Sequence, residues 1–325
     1  MNLARWLVPA WQRLAAALTG QRLHHGLLVA APAGYGKRAL VEAFAAAALC
    51  TQRGSEGQAC GVCRSCQLVA AGSHPDLARV TFELRDDGKP RSELTVDQIR
   101  ALSQRLAMSS QFGGLQIALI DPADRLNASA ANALLKTLEE PATATIIVLV
   151  ADDPARLPAT IRSRCQRIEI GRPSREEAVA WLRAQGIDAK RAEIALDASL
   201  GNPGLAQAWL ADDTLELRKA CLDDLAALTQ GRRPPAEIAE RWAADRPDTR
   251  LWLAAALARD EASRLARGET ATLGLTARSE IPKLAAWFDR ANRARGLLAT
   301  PLRGELVLLD LLRQWPTGEP TARRA

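Results

Sequence analysis

Short apolar runs alternate with stretches of helical character along the first half of the chain. The runs GLLVAA, LARVTFE, LQIALI and TIIVLV have the length of strands and lie at 26–31, 77–83, 115–120 and 145–150. Stretches rich in helix-forming residues lie between them, at 37–50, 95–108 and 128–141. Because strands that alternate with helices are typical of parallel sheets, this half is predicted to be an α/β domain with helices on both faces.

The pattern changes near residue 171, beyond which helical spacing dominates and strand-like runs are rare. Ser174 and Glu177 have the spacing of a capping box, which predicts the start of a helix. We expect about three short helices over 174–211, a helical bundle over 214–316 and then a frayed tail. The prediction is therefore an α/β nucleotide-binding-like domain, a small helical domain and an all-helical domain, at 1–170, 171–212 and 213–325.

Composition and charge are those of an ordinary folded protein. The 325 residues are 48% hydrophobic and 25% charged, and the net charge of +6 is compatible with work near nucleic acid, although no basic run forms a binding arm. No apolar stretch reaches the roughly 20 residues of a membrane span. The first residues, around Trp6 and Trp11, predict an amphipathic helix and not a signal peptide. We expect a cytoplasmic protein without a membrane partner.

Residues 31–40, APAGYGKRAL, form an incomplete phosphate-binding loop between a predicted strand and a predicted helix. The complete motif is G-x-x-x-x-G-K-[ST]. Here Gly36 and Lys37 are kept, Ala31 replaces the first glycine, and Arg38 replaces the hydroxyl residue that would bind magnesium. A guanidinium has only hydrogen-bond donors, so Arg38 cannot ligate a cation.

The second part of a hydrolytic site is also incomplete. Asp121 ends a predicted strand, where a carboxylate that supports the metal belongs. The next residue is Pro122, which cannot polarise an attacking water. Gly34, Gly36, Lys37 and Asp121 therefore form a degenerate nucleotide site, at which we expect ATP neither to bind productively nor to be hydrolysed. A simple strand-to-helix turn is the alternative interpretation of the loop.

Four cysteines crowd into a short segment between the first predicted helix and the second predicted strand. Their spacing is Cys50-x9-Cys60-x2-Cys63-x2-Cys66. Four thiolates match a tetrahedral structural zinc site, and an iron–sulfur cluster uses similar ligands. Three histidines could compete as ligands: His24, His25 and His74. With four protein ligands no position stays open for catalysis, so a structural metal site is expected over 50–66.

Three segments together identify a family: RLHHGLLVAAPAGYGKRAL at 22–40, DPADRLNASAANALLKTLEEPA at 121–142 and IIVLVADDPARLPATIRSRCQRI at 146–168. They resemble the AAA+ subunits of the bacterial DNA polymerase III clamp loader, and SHPDL at 73–77 resembles the same group. The resemblance implies an AAA+ fold for the α/β domain, a lid for the small helical domain and a ring-forming collar for the last domain. It also favours zinc at the four cysteines.

The resemblance implies roles for further positions. Arg164 in the SRC sequence would be an arginine finger offered to a neighbouring subunit, although a surface ion pair is the default for a lone arginine. The motor subunits read D-E-A-D or D-E-A-H where this chain has Pro122 as the second residue. They also carry a polar sensor where this chain has Ala151, or Asp152 if the alignment shifts by one residue.

The function that the resemblance implies is that of a non-hydrolysing clamp-loader subunit. Such a subunit would assemble with the gamma/tau ATPase subunits and delta in a hetero-oligomeric ring and supply Arg164 in trans. Through the complex it would support loading of the sliding clamp onto primer–template DNA during replication. Two alternatives stay open: an active ATPase of the same class, which Arg38, Pro122 and Ala151 oppose, and a stand-alone zinc-containing DNA-binding protein, which the net charge allows.

Overall fold

The computed structural model describes residues 3–85, 88–89, 91–275, 278–298 and 300–316. These residues belong to two compact units, which lie within Met1–Leu205 and Ala206–Ala325. The three-domain division at 170 and 212 stays a prediction. All but the first residue of the predicted tail, 316–325, lies outside the described part of the chain.

The first unit is built on a parallel sheet. Within the described residues the sheet has five strands in the order β2-β3-β4-β1-β5, with bounds β1 Gly26–Ala30, β2 Leu77–Val80, β3 Gln116–Ile120, β4 Thr145–Ala151 and β5 Gln166–Glu169. The three central strands, β1, β3 and β4, are buried along their whole length, as expected when helices cover both faces of a sheet. The predicted fold class, a parallel α/β domain with flanking helices, is confirmed.

The helices predicted at 37–50, 95–108 and 128–141 are present, with ends within three residues of their predicted positions. The helices of the first unit are α1 Val8–Thr19, α2 Lys37–Leu49, α3 Arg64–Ala70, α4 Val96–Leu106, α5 Ala128–Glu139, α6 Ala159–Arg162, α7 Arg175–Ala184 and α8 Ala189–Ala198, and α9 Pro203–Ala211 includes the boundary between the units. The capping box of Ser174 and Glu177 is present at the start of α7. On one face of the sheet Trp11 and Phe44 belong to the buried core, and on the other face Leu134 does.

Strand register decides which loops share an edge of the sheet. Ala30, the last residue of β1, pairs with Ala151 of β4, and Ile120 of β3 pairs with Leu149 of β4. Because all the strands are parallel, the residues that follow β1, β3 and β4 lie together at the carboxyl edge, which is where ligands bind in open α/β sheets. The residues that precede β1 and β5 lie at the opposite, amino edge.

The sequence does not predict β5. Of its four residues only Ile168 is buried, so no apolar run marks the strand. β2 is also shorter than its predicted range, since it ends at Val80. Both strands lie at the edges of the sheet. An edge strand pairs on one side only and is less completely covered, so fewer of its residues need to be apolar.

The second unit is helical throughout its described residues. Its helices are α10 Thr214–Thr229, α11 Pro235–Ala244, α12 Pro247–Arg267, α13 Ile281–Leu298 and α14 Gly304–Arg313. Trp242 and Trp287 are fully buried in its core. Asp224 is also buried, and its carboxylate accepts hydrogen bonds from Arg233, Arg241 and Trp242. Among the described residues, no helix combines the length and apolar character that crossing a membrane requires.

Candidate functional site

The degenerate phosphate-binding loop lies at the carboxyl edge of the sheet, between β1 and α2. Gly34 and Gly36 have φ angles of +87° and +81°, in the left-handed region that glycine adopts without strain. α2 begins directly at Lys37. The chain thus keeps the backbone of a phosphate-binding loop, a tight turn that leads into a helix N-terminus.

Lys37 is directed toward a carboxylate of its own chain. Its side chain is only 2% exposed, and Nζ forms an ion pair with Asp152 and donates to the carbonyl oxygen of Pro32 at 3.3 Å. In a working loop this ammonium reaches the β- and γ-phosphates. Here the carboxylate of Asp152, the residue directly after β4, binds the ammonium where the phosphates would.

Arg38 is paired with the second acidic residue of the site. Its Nε lies 2.5 Å from Oδ2 of Asp121, and its Nη2 lies 3.0 Å from Oδ1. These hydrogen bonds raise the pKa of the guanidinium above its ordinary value. The arginine that replaces the hydroxyl residue is therefore bound in a bidentate pair to the carboxylate that would support magnesium.

A third carboxylate, Asp124, joins the ends of β3 and β4. It is buried, and it accepts hydrogen bonds from the backbone N–H of Asp152 at 3.4 Å and of Asp153 at 3.1 Å. Ala151 is the last residue of β4 and fully buried in the sheet. Of the two residues considered for the sensor position, it is Asp152 whose side chain reaches the loop.

The carbonyl groups of the loop are bonded to neighbouring parts of the first unit. Trp6 Nε1 donates to the carbonyl of Tyr35 at 2.9 Å, and Asn202 Nδ2 donates to that of Ala33 at 2.7 Å. The backbone N–H of Gly204 donates to Gly34 at 3.1 Å. No sequence motif marks these contacts, because each joins residues that are at least 29 positions apart.

The four cysteines converge on one point. Their sulfur atoms all lie within 4.8 Å of one another, and the Cys50–Cys63 and Cys60–Cys66 pairs are each 3.9 Å apart. Zinc–sulfur bonds of about 2.3 Å place tetrahedral sulfurs about 3.8 Å apart, close to these distances. The donor set and its geometry therefore suit one metal ion held by four thiolates.

Local donors favour ionisation at part of the cysteine cluster. A hydrogen bond from Thr51 lowers the pKa of Cys63 to about 5, whereas burial raises the pKa of Cys66 to about 12. Backbone N–H groups also lie 3.3–3.4 Å from the sulfurs of Cys50, Cys60 and Cys63. A bound cation would supply the positive charge that lets all four sulfurs ionise together.

The histidines have other partners. Buried His74 bonds through Nε2 to the hydroxyl of Ser65 and through Nδ1 to the backbone N–H of Asp76. His24 contacts the backbone of Gly26, and His25 contacts the carbonyl of Leu138. Of the described residues, those in the group that could hold a metal are the four cysteines.

Arg164 lies at the other edge of the sheet from the phosphate-binding loop. It lies two residues after the short α6 and two residues before β5, whose first residue, Gln166, pairs with Leu27 near the start of β1. The guanidinium is 37% exposed and is held by Glu139 at 2.6 Å and by the carbonyl of Thr160 at 3.0 Å. β1, whose five residues span roughly 13 Å at about 3.3 Å per residue, runs from the amino edge, where Arg164 lies, to the carboxyl edge, where the loop begins.

Known proteins share much of this sequence. The family model "DNA polymerase III, delta subunit" matches residues 8–174. The DNA polymerase III subunit delta' of Pseudomonas aeruginosa is 38% identical over 239 residues, which cover 73% of this chain and 71% of that protein. The chain belongs to the DNA polymerase III subunit delta' family. This membership confirms the resemblance to clamp-loader subunits that the motifs carry.

Two further members of this group of proteins are similar. The subunit delta' of Escherichia coli is 37% identical over 222 residues, which cover 68% of this chain and 65% of that protein. The tau/gamma subunit of Haemophilus influenzae is 33% identical over 157 residues, or 48% of this chain and 22% of that protein. The chain is thus similar to delta' proteins over about two thirds of its length and to a tau/gamma protein over about half.

Proposed function

We propose that this member of the delta' family is a non-hydrolysing subunit of the DNA polymerase III clamp loader. The observation that carries this proposal is the pair of ion pairs at the loop, Lys37 with Asp152 and Arg38 with Asp121. Each cation that would meet a phosphate or displace the metal already has a carboxylate of the same chain. Catalysis of phosphoryl transfer depends on placing such charges around the phosphates and the metal. Here both cations are instead paired with aspartates of the same chain.

The charge balance at the carboxyl edge opposes nucleotide binding. Two cations, Lys37 and Arg38, stand among three carboxylates, Asp121, Asp124 and Asp152. The local sum is therefore negative, and a triphosphate brought there would be repelled unless magnesium came with it. Arg38 takes the place of the hydroxyl ligand for that magnesium. The alternative of an active ATPase has the least support from this arrangement, and Pro122 removes the residue that would activate water.

Arg164 acts on a neighbouring subunit. It lies at the amino edge of the sheet, whereas its own loop lies at the carboxyl edge, so it is at the wrong end of β1 and β5 to contact a nucleotide held in that loop. Its exposed guanidinium is instead available to a site brought up by another chain. A positive charge fixed beside a γ-phosphate stabilises the transition state of hydrolysis, so the ATPase subunits of the tau/gamma type are the recipients in this proposal.

The cysteine cluster holds structural zinc. Sulfur atoms within 4.8 Å of one another surround a single ion, whereas an iron–sulfur cluster must fit several iron and sulfide atoms between its cysteines. With four thiolate ligands the zinc has no open position, so it stabilises the segment over 50–66 and takes no part in the chemistry. The partners of the whole subunit are the tau/gamma and delta subunits in the ring, the sliding clamp, and primer–template DNA through the complex.

Reconstitution of the complex tests this function. ATP turnover is measured with the clamp and primed DNA present, for complexes that contain Arg164→Ala, Lys37→Met or the control Arg162→Ala, an exposed arginine two residues before the finger. Arg164→Ala is expected to lower turnover, while Lys37→Met and Arg162→Ala stay within about twofold of the unaltered complex. The opposite pattern, an inert Arg164→Ala and a strong loss with Lys37→Met, would mean that this chain uses its own site.

A further inference from the structure

We propose that Glu139 is a positioning residue that holds the guanidinium of Arg164 ready for the neighbouring nucleotide. This inference rests on the proposed function, because it concerns how the arginine finger is presented. Glu139 is the last residue of α5 and therefore belongs to a different element from the turn that carries Arg164. The ion pair between them, with Nη2 and Oε1 2.6 Å apart, connects these two elements.

The backbone around Arg164 is closely packed. A Cβ at Gly26 would lie 3.1 Å from the carbonyl oxygen of Arg164, 3.1 Å from the side chain of Leu138 and 3.3 Å from the sulfur of Cys165. The start of β1, the end of α5 and the turn before β5 therefore meet with no room for a side chain at Gly26. Both the turn that carries the finger and the helix end that carries Glu139 are fixed to the same strand.

The end of α5 has a second attachment to that strand. Nε2 of His25, the residue before β1, lies 2.8 Å from the carbonyl oxygen of Leu138, one residue before Glu139. The carboxylate therefore projects from a fixed point and not from a fraying helix end. This matters because a carboxylate can orient a guanidinium only if its own position is defined.

Two contacts hold the guanidinium while leaving it usable. Glu139 binds Nη2, and the carbonyl oxygen of Thr160 accepts from Nη1 at 3.0 Å. A guanidinium has five N–H donors, so these two contacts leave three for a phosphate. With 37% of the side chain exposed, the arginine can meet an incoming γ-phosphate without first leaving Glu139.

Two effects of Glu139 oppose each other. Its negative charge weakens the positive potential of Arg164, while its ion pair with Arg164 reduces the conformational freedom that a long side chain otherwise loses when it binds. The carboxylate is 49% exposed, so water and salt screen its charge. Screening weakens the 2.6 Å contact between Glu139 and Arg164 less than it weakens the effect of the carboxylate on a more distant phosphate. The orienting effect of Glu139 on Arg164 therefore outweighs the weakening of the positive potential, and loss of Glu139 slows ATP hydrolysis.

The test uses the complete clamp-loader complex with the clamp and primed DNA, and ATP is varied up to saturation. Glu139→Ala is expected to lower kcat by about 3- to 10-fold while KM for ATP changes less than about twofold, because the finger acts in the transition state. Glu139→Gln, which keeps an acceptor oxygen that can face Nη2, restores at least about half of the turnover. The matched control is Glu140→Ala, at the adjacent exposed residue, which leaves turnover unchanged. Glu139→Ala combined with Arg164→Ala is no slower than Arg164→Ala alone.

The outcomes separate this inference from the function on which it rests. If Arg164→Ala lowers turnover but Glu139→Ala and Glu139→Gln match or exceed the unaltered complex, Glu139 does not position the finger and only the inference fails. A Glu139→Ala defect that disappears once the amount of assembled complex is equalised overturns it in the same way. If Arg164→Ala itself has no effect, the proposed function fails first.

Discussion

Arg38 and Asp121 form a bidentate ion pair at the carboxyl edge of the sheet, with Nε–Oδ2 and Nη2–Oδ1 distances of 2.5 and 3.0 Å. In hydrolytic loops of this type, the residues at these two positions hold magnesium between them. Here the guanidinium takes the place of the cation, so the carboxylate has a permanent partner supplied by the chain. The Asp121 carboxylate is therefore paired without magnesium, which agrees with the proposed non-hydrolysing role.

Replacing Arg38 tests what this ion pair excludes. Arg38→Thr removes the guanidinium and restores the hydroxyl ligand beside Asp121, so we expect magnesium-dependent ATP binding at least about tenfold tighter than in the unaltered chain. ATP is still not hydrolysed, because Pro122 leaves no side chain to activate water. Isothermal titration of the isolated chain with and without magnesium measures the affinity, and phosphate release measures hydrolysis.

Arg38→Ala is the matched control for that experiment, because it removes the same guanidinium without adding a metal ligand. It should gain little magnesium-dependent affinity. If Arg38→Ala and Arg38→Thr bind Mg-ATP equally well, charge repulsion by the arginine and not the missing ligand explains the idle site. If neither gains affinity, the pairing of Lys37 with Asp152 is the dominant obstacle.

The general architecture of the first unit follows from its apolar runs. The strands within LQIALI and TIIVLV are buried between two helical layers, and such burial favours a sequence that is apolar apart from the first residue of each strand, Gln116 and Thr145. The sequence does not predict β5 because Ile168 is the one buried residue among its four, so the strand has no apolar run. Helix starts with a capping box, such as Ser174 with Glu177, are also predictable because the signal is local.

The candidate site was only partly predictable. The prediction that the site neither ligates magnesium nor activates water depends only on the side-chain chemistry of Arg38 and Pro122, so it needs no structure. The partners of these residues depend on the fold. Arg38 meets Asp121 from 83 positions away, and Lys37 meets Asp152 from 115 positions away. Nothing in the local sequence indicates that Asp152 turns toward the loop.

Removal of the metal should destabilise the first unit. Freshly purified, reduced protein is expected to contain one zinc ion per chain, measured by mass spectrometry of the metal. Cys63→Ser should lose most of it and lower the free energy of unfolding by at least about 2 kcal/mol, because a structural zinc site contributes directly to folding. Cys165→Ser, at a cysteine outside the cluster, should keep the full metal content. Finding no metal in the unaltered protein would refute the assignment.

Asp224 should be essential to the stability of the second unit. Its carboxylate is 1% exposed and accepts from Arg233 at 2.6 Å, Arg241 at 2.7 Å and Trp242 Nε1 at 2.9 Å. Asp224→Ala leaves the buried indole N–H of Trp242 without an acceptor and removes the carboxylate that both arginines bind, and we expect it to lower the free energy of unfolding by about 2–4 kcal/mol. Asp223→Ala, at the exposed neighbouring residue, should change it by less than about 0.5 kcal/mol. Urea denaturation of both variants measures the difference, and equal effects would contradict this role.

Calorimetric titration of the isolated, unaltered chain with Mg-ATP tests the central claim most directly. Because both cations of the loop are paired with carboxylates of the same chain, we predict no saturable binding below about 1 mM and no release of phosphate. Saturable binding at about 10 μM or tighter, accompanied by hydrolysis in the absence of any other subunit, would contradict the proposal that this chain is a non-hydrolysing subunit.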